Sequence, residues 1–165
     1  LPRKGHALTN SNKNKCQKQV QGEKAMSEAA SELRPVTDYV KLPANGEPYL
    51  EGHKCGNCGT VFIGARHVCS KCFARDKMEA VKLPNKGKLY SYTIVYRSFP
   101  GVEVPFVSAV VDIEGGGTVK GNLINIEPDP AKIKMGMDVD VVFKDAGRTD
   151  KQGNHYISYF FQPAA

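Results

Sequence analysis

From residue 87 onward, apolar and polar side chains alternate with a period of two. Leu89 to Tyr96 is dense in aromatic and β-branched residues and predicts a strand with Tyr90, Tyr92, Ile94 and Tyr96 on one face. Phe106 to Ile113 predicts a second strand, with Val107, Ala109, Val111 and Ile113 on one side. Gly115-Gly116-Gly117 turns it into a third, Thr118 to Ile124. Pro128-Asp129-Pro130 starts a short helical turn that Met135-Gly136-Met137 ends, read as a short helix between strands three and four. Val139, Val141 and Phe143 mark a fourth strand, and a polar loop, Gly147 to Gly153, leads to a fifth, His155 to Phe161.

The first half is patterned differently. Ser27 to Leu33 predicts a short helix, and Pro43, Gly46 and Pro48 break any longer one. Tyr49 to Glu51 reads as an extended or single-turn segment. Val61, Phe62 and Ile63 form a short apolar strand between two cysteine pairs. The expected fold class is therefore mainly β. A helical or extended segment over 26–52 precedes a small module over 53–80, and a five-stranded barrel of OB-fold type occupies 81–163. Gly87 and Gly121 stand at its expected bends, and a small β-sandwich is the competing architecture.

The cysteines decide what the small module is. Cys55, Cys58, Cys69 and Cys72 form a C-x2-C-x10-C-x2-C array, the spacing of a zinc ribbon. Each pair bends into a knuckle, the first relieved by Gly56 and Gly59; Phe73 follows the second. Four thiolates suit a tetrahedral Zn2+, and iron binds the same cage. A site with four protein ligands has no open position, so the expected metal is structural. A redox disulfide pair is the alternative. His53 and His67 flank the array as surface or supporting residues, and Cys16 is an incidental thiol.

Charge changes the picture less than its total suggests. The net charge of +6 is concentrated in residues 1–25, where six cations meet one acid; the remaining residues sum to +1. A nucleic-acid module carries a basic face, so a single-strand-binding OB protein is the runner-up. The tail reads as a tag or upstream extension, with Met26 as a natural start. It contains no apolar stretch able to serve as a signal core, and no run in the chain approaches the roughly 18 apolar residues of a membrane span. Cysteines grouped in knuckles imply a reducing compartment, and the expected location is the cytoplasm.

The combination of features resembles a known group. A four-cysteine ribbon runs into Gly87 to Val95, then a Pro105 to Ile113 strand, an Ile133 to Val139 segment containing Lys-Met-Gly-Met, and a Tyr-Phe-Phe-Gln-Pro ending at 159–163. Over about residues 36–163 this is similar to the acyl-CoA-associated OB-fold family with a rubredoxin-like zinc ribbon. Ile63-Gly64-Ala65-Arg66 departs from the family's proline-rich stretch between the knuckles.

The resemblance implies an accessory subunit, with no catalytic residues of its own, beside a thiolase-superfamily catalytic subunit. It also implies a CoA thioester handled through the complex. The lack of a spanning run argues against a membrane partner, and the near-neutral charge after residue 25 argues against nucleic acid. Tyr92, Tyr96, Phe99 and Pro100 are the candidates for an apolar contact surface or acyl-pocket wall. Lys120 and Arg148 are the candidates for meeting CoA phosphates. Ordinary barrel core and solvated charges are the competing roles for these side chains, and a stand-alone acyl-CoA-binding or electron-transfer protein is a further reading.

Overall fold

Alternating burial along the second half of the chain becomes a closed sheet. The computed structural model describes residues 33–164. Their regular elements are strands: β1 (Leu33–Pro35), β2 (Val40–Lys41), β3 (Tyr49–Cys55), β4 (Val61–Ile63), β5 (Met78–Lys82), β6 (Lys86–Val95), β7 (Phe106–Ile113), β8 (Thr118–Leu123), β9 (Asp138–Thr149) and β10 (His155–Pro163). The last five follow the order β10-β8-β7-β6-β9, and β9 pairs again with β10 to close the barrel. β8 and β10 run parallel and the other barrel pairs antiparallel. This is the five-stranded OB-fold expected from the pattern, closed where a sandwich would be open.

The inward positions of β7 behave as the alternation requires: Val107, Ala109, Val111 and Ile113 are all buried. Leu89, Val119, Leu123, Val139, Val141 and Phe161 belong to the same core. Two glycines mark where neighbours press closest. A Cβ on Gly87 would lie 2.6 Å from the Asp112 carbonyl oxygen, and one on Gly121 would lie 2.8 Å from the Phe161 ring.

Three expectations need correction. The tyrosines of β6 do not share one face: Leu89 pairs with Val111 but Ser91 with Val110, so β6 carries one extra residue at a bulge. Gly87 and Leu89 point inward before it, and Tyr92 and Ile94 pack on the core after it, which leaves Tyr90 exposed. The segment after Pro128 makes the helical turn but not a regular helix, held by the Lys132 and Ile133 amides donating to the Asp129 carbonyl. Gly147 to Thr149 belong to β9, so the polar loop is shorter than its composition suggests. Of the expected Ser27 to Leu33 helix, residues 27–32 lie outside the described residues, and Leu33 opens β1.

The parallel seam between β8 and β10 is short, with Asn122 opposite Phe160 and Leu123 opposite Phe161. β1 takes up the free flank of β10 next to it, pairing Leu33 with His155 and Pro35 with Ile157. A phenol chain closes the seam further. The Tyr159 hydroxyl donates to the Lys120 carbonyl at 2.8 Å, and Tyr39 Oη lies 2.7 Å from Tyr159 Oη. With the Tyr159 proton committed to the carbonyl, Tyr39 is the donor. Burial pushes the Tyr159 phenol far up, so it stays protonated and keeps donating.

The ribbon is a small sheet centred on β3, flanked by β4 and β5, with β2 on its first residues. It sits on the β7–β8 hairpin through backbone that carries no side chains. A Cβ on Gly116 would be 2.9 Å from Val61 Cβ, and one on Gly117 would be 2.9 Å from Ile63 Cδ1. The three hairpin glycines also have φ of 85°, 115° and 89°, a region that disfavours any side chain. The glycine run thus serves two needs: a tight turn, and a socket for β4.

Candidate metal centre and contact surfaces

Two loops of the ribbon fold in the same way. The Gly59 amide donates to the Cys55 carbonyl at 2.8 Å, and the Phe73 amide to the Cys69 carbonyl at 2.9 Å. The Cys55 amide donates to Thr60, and the Cys69 amide to Ala74. Each C-x2-C pair is therefore a knuckle whose fifth residue turns left-handed, with φ of 71° at Gly59 and 59° at Phe73.

The knuckles bring all four sulfurs within 4.8 Å of one another. Cys55 Sγ lies 3.7 Å from Cys72 Sγ, and Cys58 Sγ 3.6 Å from Cys69 Sγ. Metal–sulfur bonds of about 2.3 Å in tetrahedral geometry require sulfurs about 3.8 Å apart, so the donor set fits a four-coordinate ion. Hydrogen bonds from the Thr60 side chain and backbone pull the Cys58 thiol down to about 6. The Asn57 amide, 3.4 Å from Cys72 Sγ, lowers Cys72. Burial raises Cys69. Over residues 53–80, five cations face two acids. That surplus opposes the −2 of a divalent ion bound by four thiolates.

The flanking histidines stand apart from the sulfurs. His67 Nδ1 faces Asp76 at 3.7 Å on the exposed surface. His53 sits on β3 opposite Phe62, with its Nδ1 buried and unpartnered. The unusual Ile63 to Arg66 stretch has a packing role: the Arg66 guanidinium stacks 4.2 Å over the Phe62 ring.

The expected contact residues separate into two groups. Tyr92 is half-buried against the core, whereas Tyr96 is exposed. The Val102 amide donates to the Phe99 carbonyl at 3.2 Å, and Gly101 has φ of 83°. Pro100 followed by such a glycine is the pattern of a type II turn. That turn holds Phe99 84% exposed beside Pro100 and Val104. This loop joins β6 to β7, while the hairpin that receives the ribbon lies at the other end of β7. Eight strand residues place the two about 24 Å apart.

Lys120 and Arg148 are both exposed but stand at different levels of the sheet. Arg148 adjoins Thr149, which pairs with His155 at the start of β10; Lys120 precedes Asn122, which pairs with Phe160. Lys120 also serves the seam through its carbonyl.

Phe73 was placed after the second knuckle by the sequence but given no role there. It is 76% exposed and left-handed. The available signal was its position: it follows Cys72 as Gly59 follows Cys58. The Tyr39–Tyr159 pair carries no local pattern, because its partners are 120 residues apart.

Comparison with known proteins places these features. Residues 46–79 match the family described as the ChsH2 rubredoxin-like zinc ribbon domain, and residues 80–144 the ChsH2 C-terminal OB-fold domain. A "DUF35 domain-containing scaffold protein" of Methanocaldococcus jannaschii is 34% identical over 116 residues, 69% of this chain and 81% of that protein. Benzoylsuccinyl-CoA thiolase subunit BbsA of Thauera aromatica is 27% identical over 126 residues, covering 76% and 84% of the two chains. Among solved structures, the Ltp2-ChsH2(DUF35) aldolase aligns with a TM-score of 0.57 and 27% identity, over 71% of this chain and 86% of that one. No helix among the described residues is long and apolar enough to cross a membrane.

Proposed function

This chain belongs to the DUF35 family, which joins a ChsH2-type zinc ribbon to an OB-fold, and on that premise we propose that it is the accessory subunit of a thiolase-superfamily complex acting on acyl-CoA. The observation that carries the proposal is Phe99, displayed 84% exposed by a tight turn at the end of the barrel remote from the ribbon. A large apolar side chain held in water by a built turn is what an interface anchor requires. Tyr96 and Pro100 extend this surface, and Tyr92 stiffens its base from the core side.

Cys55, Cys58, Cys69 and Cys72 hold a Zn2+ that folds the ribbon. With four thiolates it has no position for substrate, so its contribution is structural. The thioester chemistry belongs to the catalytic subunit. Lys120 and Arg148 are the cations of this chain that would approach CoA phosphates, each from its own level of the sheet. Cysteines grouped as metal-binding knuckles rather than as a disulfide framework support a cytoplasmic setting. The finer form of the proposal is benzoylsuccinyl-CoA cleavage in anaerobic toluene degradation; the likeness to BbsA supports its benzoylsuccinyl-CoA part.

Co-expression with the thiolase-type protein encoded beside it tests the assignment. The two are expected to elute together from size exclusion, with CoA-dependent cleavage of a β-ketoacyl-CoA requiring both. Phe99→Ala should weaken the complex by about 2 kcal/mol or more. Separate elution, with the neighbour fully active alone, would overturn the reading.

A further inference from the structure

We propose that Phe73, at the tip of the second knuckle, is a docking anchor that seats in an apolar, acid-rimmed pocket on the catalytic subunit. The inference rests on the accessory-subunit reading but concerns a different surface, at the ribbon rather than at the Phe99 loop.

The two knuckles supply an internal control. They share their hydrogen bonds, and the residue after the second cysteine of each adopts the left-handed region. In the first knuckle that residue is Gly59, with open space where a Cβ would be. In the second it is Phe73, a bulky residue for which this backbone region is strained. Such strain persists where something else requires the side chain. At 76% exposure, Phe73 touches too little of the ribbon to be holding it together, so the requirement lies outside the described residues.

The surroundings indicate the partner's chemistry. Lys71 and Arg75 stand two residues to either side of Phe73, both exposed. Arg75 bridges to Val68, itself 40% exposed. An apolar tip flanked by cations is complementary to an apolar pocket rimmed by carboxylates. A Zn2+ held by the four cysteines would make the knuckle a rigid mount, so little ordering would be needed on binding.

Phe73→Gly tests this in the full chain. Because it installs the first knuckle's own residue, zinc content should be unchanged and the melting temperature should rise by about 2–5 °C. Affinity for the thiolase-type subunit, measured by calorimetry, should fall about thirty-fold or more. Lys71→Glu combined with Arg75→Glu should also weaken binding and should flatten its dependence on salt. Equal affinity of wild type and Phe73→Gly would overturn the inference while leaving the accessory-subunit reading intact. Failure of the wild-type chain to bind would overturn both. Micromolar binding of a single-stranded oligonucleotide that is lost in Phe73→Gly, with binding to the protein subunit unaffected, would reassign the surface to nucleic acid and overturn the inference.

Discussion

Cys58 and Cys69 have sulfurs 3.6 Å apart, yet their surroundings push them in opposite directions. Thr60 favours the Cys58 thiolate, while burial keeps the Cys69 thiol protonated. A cation held between them would resolve that opposition, because it would favour both thiolates over their protonated forms. Acidification returns protons to the sulfurs and favours release of the metal. Cys58→Ser removes the sulfur whose thiolate Thr60 favours. Elemental analysis should show zinc falling from one per chain to a small fraction of that, and the protein should become largely insoluble. Full zinc retention in that variant would contradict the four-thiolate site. The convergence of these four sulfurs was legible in the sequence because knuckle geometry ties the position of a cysteine to its spacing. Phe73 was not, since the strain at its position comes from a backbone angle that spacing does not encode.

At the scale of elements, period-two alternation located all five barrel strands, and β7 follows it without exception from Val107 to Ile113. Alternation failed at β6, because a bulge inserts one residue and reverses every side chain after it. No residue type announces that insertion. The glycine hairpin was legible as a turn but not as a socket, which depends on β4 arriving from a separate module. The two roles can be separated by experiment. Gly115→Ala incurs the backbone strain alone, since its new Cβ would meet nothing closer than 3.6 Å. Gly117→Ala adds a collision with Ile63. In urea unfolding it should cost about 1–3 kcal/mol more than Gly115→Ala, and Ile63→Ala should recover part of that difference. Equal costs would mean that the ribbon does not press on the hairpin.

For the whole molecule, charge is distributed in a way the total of +6 conceals. Weak attraction to single-stranded nucleic acid should reside in the basic residues 1–25, and a chain starting at Met26 should lose most of it at physiological salt. Sub-micromolar binding by the shortened chain in a fluorescence titration would restore the OB-fold's nucleic-acid role. The long-range closure of the barrel was the least legible property, because β10 must find β1, β8 and β9 at once. That arrangement has a consequence during synthesis. The cysteine knuckles lie within residues 55–72 and can capture metal while the ribosome is still translating the barrel. The seam cannot form until Tyr159 and Phe161 have been made, 120 residues after Tyr39 in the case of the phenol pair. A nascent chain therefore carries a finished ribbon ahead of an open sheet, and β8 waits with an unpaired edge until its last neighbour emerges.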